Sequence, residues 1–146
     1  MTPTHFSRTL LTTIVTSLML ASPVFAADLP SVQQSGRIEY LTGGIGSDES
    51  NAMKAEARHY PLAIEMAKGR EGHYVADVDV AISNVKGKQV FEANSTGPFM
   101  LVKLPPGNYI VKATLDGVTK QQKVNVGAQG SKHLSISWPA PAGSAL

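Results

Sequence analysis

The segment Gly97–Val111, GPFMLVKLPPGNYIV, constrains the fold more than any other stretch of the chain. Phe99, Leu101 and Leu104 supply an apolar strand. Pro105 and Pro106 remove ladder donors and fix φ at about −65°, and Gly107 accepts φ > 0, so the strand stops and the chain reverses. Tyr109, Val111 and Ala113 then alternate with Asn108, Ile110 and Lys112, the period of a half-buried strand. The segment therefore predicts strand, tight corner, strand: a hairpin of a β-sandwich.

Similar patterns continue on both sides. Leu62, Ile64 and Met66 alternate with Ala63 and Glu65, and Lys68–Gly72 is a turn. Tyr74–Ile82 reads as the longest strand, with Val78, Val80 and Ile82 inward. Asn84–Gly87 turns the chain into a strand over Gln89–Ala93, where Val90 and Phe91 compete for the inward face, and Asn94–Gly97 turns it again. Asp116–Gly117 is a strong hairpin signal that pairs Val118–Val126 back. After a turn at Gly127–Gly130, Leu134, Ile136 and Trp138 form the inward face of the last strand. Together these give about seven strands with turns about every 8–12 residues, the pattern of an antiparallel β-sandwich.

The N-terminal part differs. Residues 1–26 have a short, weakly basic start (His5, Arg8), an apolar run from Leu10 to Ala21, and small residues at Val24 and Ala26, the features of a cleaved secretory signal. The apolar run is shorter than the roughly 20 residues a membrane span needs. Export to the periplasm or beyond is expected, with no membrane attachment after cleavage. Residues 27–36 read as a flexible leader and 37–138 as a single domain, with Ile38 and Tyr40 on a short strand. Residues 139–146, PAPAGSAL, read as a disordered tail. One short helix, about 48–59, is expected to start at a Ser47 cap with Asp48 and Glu49 in its first turn. Met53, Ala57 and Tyr60 form its apolar stripe.

Cysteine is absent, which excludes disulfides, thiol chemistry and N-terminal lipidation. Charge is nearly balanced overall, but residues 28–79 are net acidic and residues 80–146 net basic. Lysines on edge strands account for that asymmetry as protection against edge pairing. No basic cluster has interleaved aromatics, so no nucleic-acid partner is expected.

Candidate chemistry is sparse. The loop Gly43, Gly44 and Gly46 leads into the helix, but no Gly-Lys-Ser/Thr follows it, and carboxylates occupy its anion-favouring end. The glycines permit close backbone approach, and Asp48 and Glu49 suit a basic partner, so these five residues form the candidate binding surface. His73, Asp77 and Asp79 share one strand parity and are weak candidates for a divalent cation. The first two lie about 13 Å apart along a strand, beyond one ion's ligand shell. Met53, Met66 and Met100 occupy apolar positions and read as core rather than a copper site. His59 and His133 stand isolated, and Glu65 and Glu71 form an acid/base pair only by accident of folding. No catalytic residue, metal or cofactor is assigned.

Gly97, Phe99, Leu101, Leu104, Pro105, Pro106, Gly107, Tyr109 and Val111 together resemble the carboxypeptidase regulatory-like domain, a transthyretin-like (prealbumin-like) β-sandwich related to collagen-adhesin B-type repeats. The resemblance covers about Tyr74–Trp138. The whole chain is similar to small exported proteobacterial proteins of this type that carry a Thr-Gly-Gly-x-Gly segment, here Thr42–Gly46. The resemblance implies a structural role for Gly97, Phe99, Leu104, the Pro105–Gly107 corner, Tyr109 and Trp138. With no clustered acid, base and nucleophile, no metal-ligand set, and a sandwich whose loops and edge strands are free to carry recognition, a non-catalytic binding or accessory module that recognises a protein or an envelope component is expected. The alternative is a small periplasmic transthyretin-like enzyme or a ligand or cation carrier. The enzyme subgroup ends in Tyr-Arg-Gly-Ser, which this chain lacks.

Overall fold

The computed structural model describes residues 28–141; the signal reading of residues 1–26 and the last five residues of the tail lie outside that range. Asp116 and Gly117 both have positive φ, 50° and 78°, the geometry of a type I′ turn that matches the twist of its flanking strands. They join β8 (Gly107–Leu115) to β9 (Val118–Val126) in a nine-residue antiparallel ladder. On the other side of β8 lies β5 (Val78–Asn84), and beyond it β6 (Gln89–Ser95), so this sheet runs β6-β5-β8-β9. Val78, Val80, Ile82, Phe91, Val111 and Ala113 point inward and are fully or almost fully buried. Phe91 thus takes the inward face of β6, and Val90 packs only partly against the core. Lys120 and Gln122 also have inward parity, on the edge strand β9, where a buried-facing charge discourages edge pairing.

The second sheet draws on the whole length of the chain. Its order is β1 (Gln33–Ser35), β2 (Ile38–Gly43), β7 (Phe99–Val102), β3 (Leu62–Lys68) and β10 (Lys132–Trp138), with β4 (His73–Tyr74) on the end of β3. Here the expected hairpin is corrected. Residues 99–102 do not pair with β8; they run between β2 and β3, antiparallel to both. Pro105–Gly107 therefore carries the chain from one sheet to the other, and Gly107 is the extended first residue of β8. All four side chains of β7 are buried because both faces of this sheet are covered, and a doubly covered strand reads as a continuous apolar run. Tyr109 locks the corner by donating its hydroxyl hydrogen to the Pro105 carbonyl at 2.7 Å.

Two further differences follow from the mixed pairing. β2 and β3 both oppose β7, so they are parallel to each other and need a crossover, which α1 (Ser47–Glu56) and the 3-10 turn Ala57–His59 supply. β10 also runs parallel to β3, so the sandwich is not purely antiparallel. The described residues form ten strands rather than about seven, since β1 and β4 are too short to show a period. The segment read as a leader contributes β1. Ser35 stitches it across the sandwich edge to Glu92, donating to its carbonyl at 2.7 Å. The opposite edge is closed by Trp138 Nε1 donating to the Val118 carbonyl at 2.9 Å.

The main core lies between the sheets, where Tyr40 meets Phe91 edge to face at 5.2 Å. A second apolar cluster lies on the outer face of the mixed sheet. There Met53, Ala57 and Tyr60 cover Leu41, Ala63, Phe99 and Leu101. The helix stripe read from the sequence thus docks on this sheet. The helix cap is Gly46, φ 87°, and not Ser47. No helix among the described residues is long and apolar enough to cross a membrane.

Candidate functional site

The glycine loop that the sequence singles out is used for packing. Gly43 and Gly44 are buried. A Cβ on Gly97 would run into the Gly43 carbonyl, and one on Gly44, where φ is +99°, would run into the Phe99 ring. Glu49, the third helical residue, turns back and accepts a hydrogen bond from the N–H of Gly44, two residues before the helix cap, at 2.6 Å, which fastens the loop to the helix. Gly43, Gly44 and Glu49 thus build a turn at which two backbones are pressed together, while Gly46 and Asp48 remain exposed.

The His73/Asp77/Asp79 arrangement also changes. Tyr74–Ile82 is not one strand: the chain breaks after Tyr74, and Asp77 has φ 57°. A single strand parity no longer relates the three side chains. His73 pairs with Glu71 at 3.1 Å, and Asp79 accepts from Asn94 at 2.9 Å. Among the described residues no three His, Asp or Glu side chains gather to hold a metal ion. Met53, Met66 and Met100 are fully buried in the two cores.

A different site forms on the outer face of the mixed sheet, where α1 covers only part of it. β3 presents Ala63, Glu65 and Ala67 outward. In register on its neighbours stand Leu101, Phe99 and Tyr74 on one side and His133, Ser135 and Ser137 on the other. The alanines and serines are small, so Glu65 stands over a shallow floor. Lys54 of α1 hangs above it, its ammonium 5.5 Å from the Tyr74 ring centre and 5.6 Å from that of Phe99. The two rings meet edge to face at 5.2 Å, which fixes the wall on which the ammonium rests. Ser131 ties the end of the helix to the start of β10, donating to the Ala57 carbonyl at 2.9 Å. The space enclosed is a cleft of about 180 Å³ between Lys54 and Ala57 on one side and Glu65, His133 and Ser135 on the other.

Its electrostatics have two poles. Hydrogen bonding to Tyr74 and then the Tyr74 charge hold the Lys54 ammonium above the usual lysine range; desolvation opposes them, and the Glu65 charge adds the weakest upward push. Glu65 is half-buried and makes no hydrogen bond or ion pair among the described residues, although it lies close enough to Lys54 to strengthen its charge. Sequence reasoning gave Lys54 no role and reached Glu65 only as half of a chance acid/base pair with Glu71. The available signal was Glu65 set between Ala63 and Ala67, a lone carboxylate on an otherwise small-residue strand face.

A second depression, about 420 Å³, lies on the outer face of the other sheet near Val85, Ile110 and Lys123. Its two amides satisfy each other, Asn125 donating to Asn108 at 2.7 Å, and Lys123 is its one charged side chain.

No protein-family model and no curated protein matches the chain. Among solved structures the chain is similar to the 5-hydroxyisourate hydrolase of Klebsiella pneumoniae, at 15% identity and a TM-score of 0.44, over 56% of this chain and 90% of that one.

Proposed function

We propose that the chain is a non-catalytic binding module of the carboxypeptidase regulatory-like type, exported to the periplasm or beyond, that recognises a protein or an envelope component. The recognition site is the cleft between α1 and β3. The observation that carries this reading is the pair of opposite charges, Lys54 and Glu65, which border one cleft without closing on each other. A general base or amine nucleophile works best with its pKa near the working pH, which for lysine means a large downward shift. Lys54 is shifted the other way, so near neutral pH it is a fixed cation that attracts and orients. The floor around it is part of a rigid sheet, which suits recognition at low entropic cost.

The test is capture from envelope extract by the purified chain beside a Lys54→Met/Glu65→Gln variant. A specific partner that the variant loses, with an unchanged melting curve, supports the module and the site. Equal capture by both proteins moves the site elsewhere. Turnover of a small substrate by the purified domain overturns the non-catalytic reading.

A further inference from the structure

We infer that the group recognised in this cleft is a small α-amino carboxylate, its ammonium toward Glu65 and its carboxylate toward Lys54. The inference rests on the reading of the cleft as the recognition site. Three observations narrow the chemistry. The first is size: about 180 Å³ is below the roughly 300–1,000 Å³ of pockets that enclose drug-sized ligands, so a group of a few heavy atoms fits. The second is charge. A phosphate or other multiply charged anion would meet the Glu65 carboxylate, and a simple amine would meet the Lys54 ammonium; each like-charge contact costs affinity. A zwitterion satisfies both poles at once. The third is the floor. Ala57 and Ala63 give an apolar surface for a short side chain, and Phe99 walls one side. Lys54 is already rested on two rings, so little side-chain freedom is lost when it engages a carboxylate.

The same chemistry occurs in a free amino acid and in the unlinked amino-carboxylate end of a peptide or envelope polymer. NMR titration of the full soluble domain with alanine, N-acetylalanine and alaninamide reads the head group directly. Alanine is expected to shift the amides of Lys54, Glu65, Phe99 and Ser135 saturably, and each analogue lacking one charge to bind about tenfold more weakly or worse. Lys54→Met should weaken alanine by a similar factor and, with the like charge gone, tighten alaninamide. Glu65→Gln should weaken alanine and, for the same reason, tighten N-acetylalanine. Release of captured envelope material by excess alanine would assign the polymer-borne source, and saturable alanine binding without such release the free one. Equal affinity for all three probes, or no saturable shift with any, overturns the inference. If capture from envelope extract still depends on Lys54 and Glu65 in that case, the binding-module reading stands with a different ligand. If it does not, both fall.

Discussion

The two sheets of this sandwich bury their strands by different means. In β6-β5-β8-β9 every pairing is antiparallel, and two of the three pairs are closed by short turns at Asn84–Gly87 and Asp116–Gly117. In the mixed sheet short turns join β1 to β2 and β3 to the two-residue β4. The other neighbours come from far apart in the chain, and two relationships are parallel. Parallel strands need a crossover, and the crossover here is a helix that must cover a sheet face to be stable at this length. It covers only part of that face. The cleft is what remains uncovered, so the site belongs to the sheet whose topology demanded the helix.

The largest expected effect falls where the two sheets meet. Tyr109 is 8% exposed, faces the common core and holds the inter-sheet corner through Pro105. Tyr109→Ala should cost about 3–5 kcal/mol in a urea melt, the range for truncating a buried aromatic. A loss below about 1 kcal/mol, the scale of an ordinary substitution, would mean that the corner is held by its prolines and that the sheets are coupled elsewhere.

The helix cluster is smaller and lies outside the main core. Met53 is fully buried in it, and Met53→Ala should cost about 2 kcal/mol, the low end for a core methionine, because a site near the surface can collapse. Hydrogen exchange sharpens the comparison. Amides of α1 should exchange faster in the variant while those of β5 and β8 keep their rates, marking the helix as a separate opening unit. Equal acceleration in β5 would merge the two regions into one cooperative block.

The purely antiparallel sheet was readable from residues in sequence because its evidence is local. Val78, Val80 and Ile82 show the inward face directly, and Asp-Gly specifies its own turn. The mixed sheet was not, for physical reasons. Phe99–Val102 is buried on both faces, so its apolar run does not reveal which strands flank it, and a proline corner looks the same whether it closes a hairpin or crosses between sheets. The Tyr74–Ile82 period hid a break at Asp77, because Asp tolerates positive φ without advertising it as glycine would. The cleft was illegible because Lys54, Glu65 and Tyr74 sit on three elements whose adjacency depends on the crossover.

Alkaline pH distinguishes burial from surface charge. Burial pushes the Tyr109 phenol above its ordinary value of 10.0, and Tyr60 shifts the same way, chiefly through desolvation. A folded-state pKa raised above the unfolded one contributes stability that is present below about pH 10 and lost as pH rises through the folded value. Lys54 and Lys103 are also raised, the latter mainly by its hydrogen bond to Glu39, and act in the same direction. The urea midpoint should therefore hold to about pH 10 and then fall. Tyr109→Phe should cost about 1 kcal/mol at neutral pH for the lost hydrogen bond, and should flatten the alkaline fall. An unchanged alkaline slope would assign that loss to the lysines and Tyr60.

The smallest expected effect lies at the tip of the β8–β9 hairpin, where one side chain touches both sheets. Asp116 holds φ at 50°, and its carboxylate meets the Lys68 ammonium of β3 at 3.1 Å, with the Asp116 side chain 72% exposed. Asp116→Asn keeps a residue suited to the left-handed turn and removes the ion pair. The gain in turn fit is a few tenths of a kcal/mol, and an exposed pair is worth about 0–1 kcal/mol, so the two nearly cancel. The melting midpoint should hold within an equivalent of about 0.5 kcal/mol. Its dependence on sodium chloride should weaken, because the screened pair is gone. Asp116→Ala, which lacks the polar group that eases positive φ, should cost about 1–2 kcal/mol by comparison. If Asp116→Asn instead matches the alanine variant and the loss vanishes in high salt, the Lys68–Asp116 pair is a real tie between the sheets. The hairpin would then depend on the mixed sheet for more than its shared core.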